Sequence, residues 1–400
     1  MAPRHASATP SDLIGTGPQS TALAGAGTSL ALDAESALVN PARLAPATKE
    51  LAFGLRASRF VLELDRNGAT EPFSVESEKG FFLGVTAPLS DGEVESAFGL
   101  FGGSPTDYIV RARLPFAEEP DFPLLVRRAS AFDLTAGLGV RASMFSFGLG
   151  VRVLAALTGT VGVKQSDGVA MQVVDNELVP AAAPVFGLGF DPGGDFSIGA
   201  TLRTALRANF DVTLATSGLG GIRLPPMHVR GVAHYEPLRV DAEVSRRFER
   251  TTGLLAIGYE RWSDYPGTLG STLECPDDVV TCGSSAPSPP DASDIVVLRL
   301  AGSHEFAIDR MSAVLRAGYS FVPAALPEQR GATNRFDSAR HGFALGYSLG
   351  LPPDWMLPLS LDAAFRFDLL APRTHDKTSG ETIETSGHVQ TFVFGARLGL

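Results

Sequence analysis

The chain has 400 residues and a formal net charge of −11, with 44% hydrophobic but only 19% charged residues, 43 glycines and two cysteines. That composition excludes a disordered chain, and an acidic balance without a Lys/Arg-rich run lacks the electrostatic footprint of a nucleic-acid binder. No apolar stretch reaches the roughly 18 residues of a transmembrane helix, yet the mean hydropathy is +0.11, so the apolar residues must be interleaved rather than blocked.

Residues 1–50 carry no strand pattern and are rich in Ala, Gly, Ser, Thr and Pro. Ala6-Ser7-Ala8 has the small-residue form of a signal-peptide cleavage site, but no apolar core precedes Asp12. A signal peptide is therefore not present in the given sequence, and the expectation is that the true start lies upstream or that the signal has been removed. Two readings of 1–50 stand side by side: an irregular or short-helical tail, or a plug folded into the lumen of a barrel.

From residue 51 onward apolar residues recur with a period of two. Leu357, Leu359, Leu361, Ala363, Phe365, Phe367 and Leu369 alternate with positions that include Ser360, Asp362, Arg366 and Asp368. Phe145, Phe147, Leu149, Val151 and Val153 alternate with Ser146, Gly148, Gly150 and Arg152. This is strand spacing, not helix spacing. Strands are expected at 51–65, 78–90, 93–104, 131–143, 144–158, 182–192, 194–216, 226–248, 252–264, 293–306, 309–321, 339–351, 356–370 and 386–400. The even count depends on 226–248 running as one strand through Pro237, where a bulge is the other outcome.

The connections alternate between short and long. Short ones carry turn chemistry, as in Ser90-Asp91-Gly92, Asp191-Pro192-Gly193-Gly194 and Glu249-Arg250-Thr251. Long ones fall at 66–77, 105–130, 159–181, 217–225, 265–292, 322–338 and 371–385. A soluble sandwich has no reason to sort its loops by parity, whereas a membrane barrel places short turns on one rim and long loops on the other. The expected fold class is therefore all-β: a transmembrane antiparallel β-barrel of about 14 strands over 51–400, with 1–50 as an N-terminal hatch or plug inside the lumen.

Asn40-Pro41-Ala42, with the small-residue run from Ala24 to Ala45 around it, resembles the N-terminal hatch of the FadL/TodX outer-membrane transport proteins, the long-chain fatty acid transporter family. Three later stretches are similar to that family in type and order. Phe186-Gly187-Leu188-Gly189-Phe190-Asp191-Pro192 resembles its central hairpin, and Tyr259-Glu260-Arg261-Trp262-Ser263-Asp264-Tyr265 its Trp-Ser strand end. Arg316-Ala317-Gly318-Tyr319, Pro323, Pro327 and Asp337-Ser338-Ala339-Arg340-His341 resemble its late strand, proline loop and Asp-x-x-Arg segment. Arg43, where the family usually has a small residue, and the terminal Leu400, where it has an aromatic one, are departures.

The resemblance implies passive transport of hydrophobic small molecules, such as long-chain fatty acids, across a Gram-negative outer membrane, with hatch-gated uptake and lateral exit. A structural or adhesive barrel and a barrel lipid hydrolase are the alternatives. Gly102, Gly103 and Pro105 read either as an ordinary loop start or, by the resemblance, as the kink of a lateral opening. Loop 105–130 mixes Phe116 and Phe122 with Arg127 and Arg128, an apolar groove with a cationic rim that suits capture of an amphipathic carboxylate; lipopolysaccharide contact or plain loop packing is the other reading.

Cys275 and Cys282 lie in a long loop; two ligands do not complete a zinc site, so a loop disulfide in an oxidising exterior is expected. The seven His residues are scattered, and no metal, phosphate-loop, dinucleotide or nucleophile-elbow motif occurs. No enzyme activity, cofactor or metal is expected. The expected partners are a hydrophobic ligand, outer-membrane lipid with lipopolysaccharide, and the barrel assembly machinery, with no nucleic acid and a monomeric state.

Overall fold

The computed structural model describes residues 17–75, 77–106, 120–126, 132–166, 169–217, 227–267, 290–352 and 358–400. Its strands are β1 (Glu50–Arg66), β2 (Ala69–Phe73), β3 (Glu78–Asp91), β4 (Val94–Pro105), β5 (Asp133–Ala142), β6 (Phe145–Ser166), β7 (Val169–Gly193), β8 (Phe196–Arg203), β9 (Leu206–Ser217), β10 (Met227–Glu236), β11 (Leu238–Phe248), β12 (Thr251–Arg261), β13 (Ile295–Ile308), β14 (Met311–Val322), β15 (Arg340–Gly350), β16 (Leu359–Asp376) and β17 (Thr382–Gly399).

Fourteen of these close a ring. Each of β3 to β7 pairs with its successor, β8 pairs with β11, and the series continues to β17, all antiparallel. β1 then joins β17 over seventeen residue pairs, from Glu50↔Gly399 to Arg66↔Ile383, and pairs β3 on its other side. A closed ring leaves no sheet edge, the condition under which strands can cross lipid.

The remaining strands lie on the long-loop rim. β2 folds back on the end of β1 through Asn67 and Gly68, both with positive φ, the backbone that a tight hairpin turn needs. β9 and β10 extend the β8–β11 hairpin beyond a break. The ladder passes from Glu236↔Leu206 to Arg239↔Arg203, interrupted at Pro237, which has no N–H to donate, opposite Thr204 and Ala205. Two expected strands are thus each split in two, but the splits face one another and the ring count stays at fourteen. Another expectation is corrected: 159–181 is not a loop. β6 and β7 run on as a hairpin through Ser166↔Val169, and β9 joins β6 in parallel from Leu157↔Phe210.

The period-two pattern sorts as lipid demands. Phe147, Leu149, Phe186, Leu188, Leu255, Leu300 and Phe394 are each more than 40% exposed on the outer face, while Arg152, Thr201, Asp241, Glu243, Arg366 and Asp368 are buried on the inner one. The polar residues form the core and the apolar residues the surface, the inverse of a soluble protein and the layout of a transmembrane barrel. Turns on the short rim use left-handed residues, among them Ser143, Asp195, Glu249 and Asp309.

Residues 17–47 lie inside the ring. They form a helix α1 (Pro18–Ala22), a 3-10 turn at Asp33–Glu35, a helix α2 (Ser36–Val39) and a second 3-10 turn at Pro41–Leu44. This segment approaches inward-facing positions on β3, β4, β5, β6, β7, β8, β14, β15 and β17, so its contacts surround the barrel axis.

Candidate functional site

The lumen segment is made of pieces too short to hold themselves together. Helices below about 12–15 residues are marginal alone, and α1 has five residues. Internal side chains compensate. The Glu35 carboxylate accepts from the backbone N–H groups of Gln19 (2.9 Å) and Ser20 (2.8 Å), tying the middle of the segment to the start of α1. Asn40 works in three directions: Oδ1 accepts from Ala42 N (3.1 Å), while Nδ2 donates to Thr28 O (2.7 Å) and to Leu188 O on β7 (3.0 Å). Pro41 follows at the first turn position, where its missing N–H is tolerated.

The wall receives the segment in glycine sockets. A Cβ on Gly148 would overlap the Ala42 nitrogen and the Pro41 carbonyl carbon, and one on Gly199 would overlap the Thr28 carbonyl. Only a residue without a side chain lets the two backbones approach so closely.

Ionic and polar latches complete the docking. Arg43 Nη1 donates to both carboxylate oxygens of Asp191 (2.9 and 2.7 Å), and Nη2 donates to Ile198 O (2.8 Å). Gly189 leaves space for the guanidinium, since an added Cβ would lie 3.0 Å from Arg43 Cζ; this accommodates the departure noted at Arg43. On β11, Glu243 accepts from Gly27 N (2.7 Å), Ser29 N (2.9 Å) and Ser29 Oγ (2.6 Å). Arg397 reaches Asp33 at 2.6 Å, and Arg316 Nη2 donates to Gln19 Oε1 at 2.9 Å. Apolar contacts accompany the latches: Ala22, Ala34, Ala37 and Leu44 share a buried cluster with Phe82, Phe101 and Val393 of the wall, and Leu23, Ala26, Leu32 and Val39 one with Leu254 and Ala301.

Above the segment, towards the long loops, sit two apolar clusters. One joins Phe60, Leu62 and Leu64 of β1 to Phe122, Leu125, Phe336, Leu370 and Ile383. The other gathers Tyr235, Trp262, Tyr265, Ile295 and Leu326, with Trp262 Nε1 donating to Glu260 Oε2 at 3.0 Å. Loop 323–339 spans them. Asp337 accepts from Ala325 N (2.7 Å) and Leu326 N (3.1 Å), and Arg373 Nη1 donates to Leu326 O (2.8 Å) and Asp337 O (2.9 Å). Burial raises the Asp337 carboxyl above its usual range, against the opposing influence of Arg340.

The structure brings Asn40, Pro41 and Ala42 together on the lumen side of β6 and β7. Phe122 lies in the first apolar cluster, its ring 5.3 Å from that of Phe73 and 5.8 Å from that of Phe336. Phe116, Arg127, Arg128, Cys275 and Cys282 lie outside the described residues. Gly102 and Gly103 stay in register on both sides, opposite Leu83 and Phe82 of β3 and Leu134 and Asp133 of β5. The ladder towards β5 stops at Gly103, while the one towards β3 continues to Pro105↔Gly80. Sequence reading placed Asp191 in a turn and a hairpin motif but not as a partner of Arg43, and it did not single out Glu243 or the sockets; their signal was an acidic residue or glycine at inward parity.

No protein-family sequence model matches the chain, and no curated protein sequence does. Solved structures match it along its length. A FadL homologue from Pseudomonas aeruginosa superposes with a TM-score of 0.65 at 16% identity, covering 96% of this chain and 98% of that one. The toluene transporter TodX of P. putida gives 0.58 at 17% identity, covering 97% and 99%. The toluene transporter TbuX of Ralstonia pickettii gives 0.51 at 14% identity, covering 97% and 99%. With its closed fourteen-strand ring and full-length superposition, the chain has the fold of the FadL/TodX outer-membrane transport proteins.

Proposed function

We propose that this protein is a passive importer of hydrophobic small molecules in a Gram-negative outer membrane, with residues 1–50 as its hatch and 51–400 as its barrel. The observation that carries the reading is a lumen segment attached to the wall through polar latches and glycine sockets. Such a segment can shift without breaking strand pairing, since the ring closes without it, and the apolar contacts it leaves are small, made in good part by alanines on its side. The matched structures, a FadL homologue and toluene transporters, support hydrophobic cargo as a class, with long-chain fatty acids and small aromatic hydrocarbons as its two members to test.

In this reading cargo is captured at the apolar cluster around Phe122, helped by the loop that carries Phe116, Arg127 and Arg128. Hatch displacement then opens the bore. Cargo leaves sideways beside Gly102, Gly103 and Pro105, where pairing with β5 ends two residues before pairing with β3. The closed ring needs no partner strand, in keeping with a monomer assembled by the barrel machinery, its long loops among lipopolysaccharide. No step requires a catalytic group or cofactor.

Uptake of radiolabelled dodecanoate and toluene by cells lacking other hydrophobic-compound transporters tests the reading. Expression of the full chain should accelerate entry of at least one compound, without dependence on the proton gradient. Entry of both at the rate of barrel-free cells would reject transport in favour of a structural barrel.

A further inference from the structure

On the outer wall, the end of the apolar band nearest the long loops carries two cations without an acidic partner among the described residues. The outward positions of β1 run Leu51, Phe53, Leu55, Ala57 and then Arg59, and those of β3 end Leu83, Phe81 and then Lys79. From Leu51 to Arg59 the strand rises roughly 26 Å, or about 20 Å along the membrane normal at a tilt of about 40°, which sets Arg59 at the edge of an apolar band about 25 Å tall. Both cations are exposed, and neither side chain has a hydrogen bond or ion pair among the described residues. Glu63, the next outward acid on β1, stands roughly 13 Å farther along the strand. Elsewhere on this rim outward polar groups meet one another. Arg261 pairs with Asp264 at 3.0 Å, the Tyr259 hydroxyl donates to Asp294 at 2.5 Å, and the Tyr319 hydroxyl lies 2.9 Å from His341 Nδ1.

The two cations converge. Ala57 is the register partner of Lys79 on one side and of Phe392 on the other, and Arg59, two residues on, is the partner of Gln390. Arg59 and Lys79 are therefore diagonal neighbours on one face of adjacent strands, about 7–8 Å apart at their bases and within reach of a common ligand. Gln390 adds an amide beside Arg59, its Nε2 lying 3.1 Å from His388 Nε2. Below them Ala57 is a short side chain between larger ones. Phe81 and Phe392, 41% and 42% exposed, flank it and leave a notch on the lipid-facing wall.

We propose that this face of β3, β1 and β17 is a docking site for a phosphorylated lipid of the outer leaflet, with one phosphate between Arg59 and Lys79 and an acyl chain in the notch over Ala57. The inference rests on the outer-membrane reading, which turns the long-loop end towards that leaflet, but not on any cargo or route. A guanidinium matches phosphate oxygens as a bidentate fork and an ammonium supplies a point charge. A lone cation at a membrane edge need only snorkel to water, whereas two that converge over a notch suit a doubly charged head group with a chain beneath it. Arg59 and Gln390 lie across the β1–β17 seam that closes the ring, so the bound lipid holds the two terminal strands together.

Binding of diphosphoryl lipid A to the purified full chain in detergent, read by native mass spectrometry, tests the site. One lipid is expected to stay on the wild type, and Arg59→Gln combined with Lys79→Gln should weaken it at least about tenfold through loss of hydrogen bonds to a charged group. Arg261→Gln, at a guanidinium already paired with Asp264, should leave the affinity unchanged. Lipid A should also raise the temperature of heat-modifiable migration for the wild type and not for the double variant, a folded barrel in both being confirmed by that migration. Equal affinity of the wild type and the double variant, or equal binding of lipid A stripped of its phosphates, would overturn the proposal. So would displacement of lipid A by equimolar dodecanoate, which would give the cations to a cargo head group, or by equimolar inorganic phosphate, which would make them a site for the free ion. Uptake lost while lipid binding holds would tell against transport and not this site, and uptake retained without lipid binding the reverse.

Discussion

At the scale of single residues, glycine does most to let two backbones meet. Gly148 and Gly199 have inward parity on β6 and β8, where a side chain would strike Ala42 or Thr28 of the lumen segment. Gly148→Val should therefore unseat Asn40-Pro41-Ala42 at a cost of about 1–3 kcal/mol, the range for overpacking a filled site. The measurement is conductance in planar bilayers: openings should become more frequent while heat-modifiable migration still reports an intact barrel. Unchanged conductance would mean that the segment does not obstruct ion passage there. The sequence shows both the glycine and its parity, but parity says only that Gly148 faces inward, not that a proline turn waits 2–3 Å away.

At the scale of elements, the strands are self-declaring and the lumen pieces are not. A strand facing lipid must alternate, so its sequence carries its own label. The four-residue helix at Ser36–Val39 carries none, because its position comes from the wall, with Thr201 Oγ1 donating to Val39 O at 3.0 Å. Loop 323–339 is held similarly. Glu328 Oε2 accepts from Arg330 Nη2 (2.9 Å) and Oε1 accepts from Asp376 N (3.1 Å), the N–H at the end of β16. The Arg330 hydrogen bond, followed by that of Asp376, holds the Glu328 carboxyl below its ordinary value of 4.5. A depressed carboxyl pKa stabilises the contact above the ordinary value and loses it as pH falls through the lowered one. The protection of the Asp376 amide, measured relative to its intrinsic exchange rate at each pH, should accordingly fall on acidification through that window, and Glu328→Gln should flatten the response. Equal pH dependence in both proteins would show that the contact is not made in solution.

At the scale of the whole molecule, the ring and its filling are separable. The β1–β17 closure involves no residue before Glu50, so deletion of residues 1–45 should leave the barrel assembled. Fourteen strands enclose more space than an eight-stranded barrel fills with side chains. The truncated protein is therefore expected to show large, persistent conductance and to admit small hydrophilic solutes, measured by single-channel recording and by liposome swelling. A truncated barrel that stays closed would assign the obstruction to the loops instead.

By itself the sequence determined the membrane class, the period-two strands, the even ring and the sorting of loops to two rims. These follow from a one-dimensional code: each strand must show alternate residues to lipid, and each turn must reverse the chain within a few residues. Only the tertiary structure decided how the lumen is filled. Arg43 meets Asp191 across 148 positions and Gly27 meets Glu243 across 216. Any inward acid or base could satisfy such a pair, so the partner is chosen by ring closure and register rather than by local pattern. The split at Pro237 shows the same division: the proline announced a break, but its harmlessness to the count depended on Thr204 and Ala205 lying opposite.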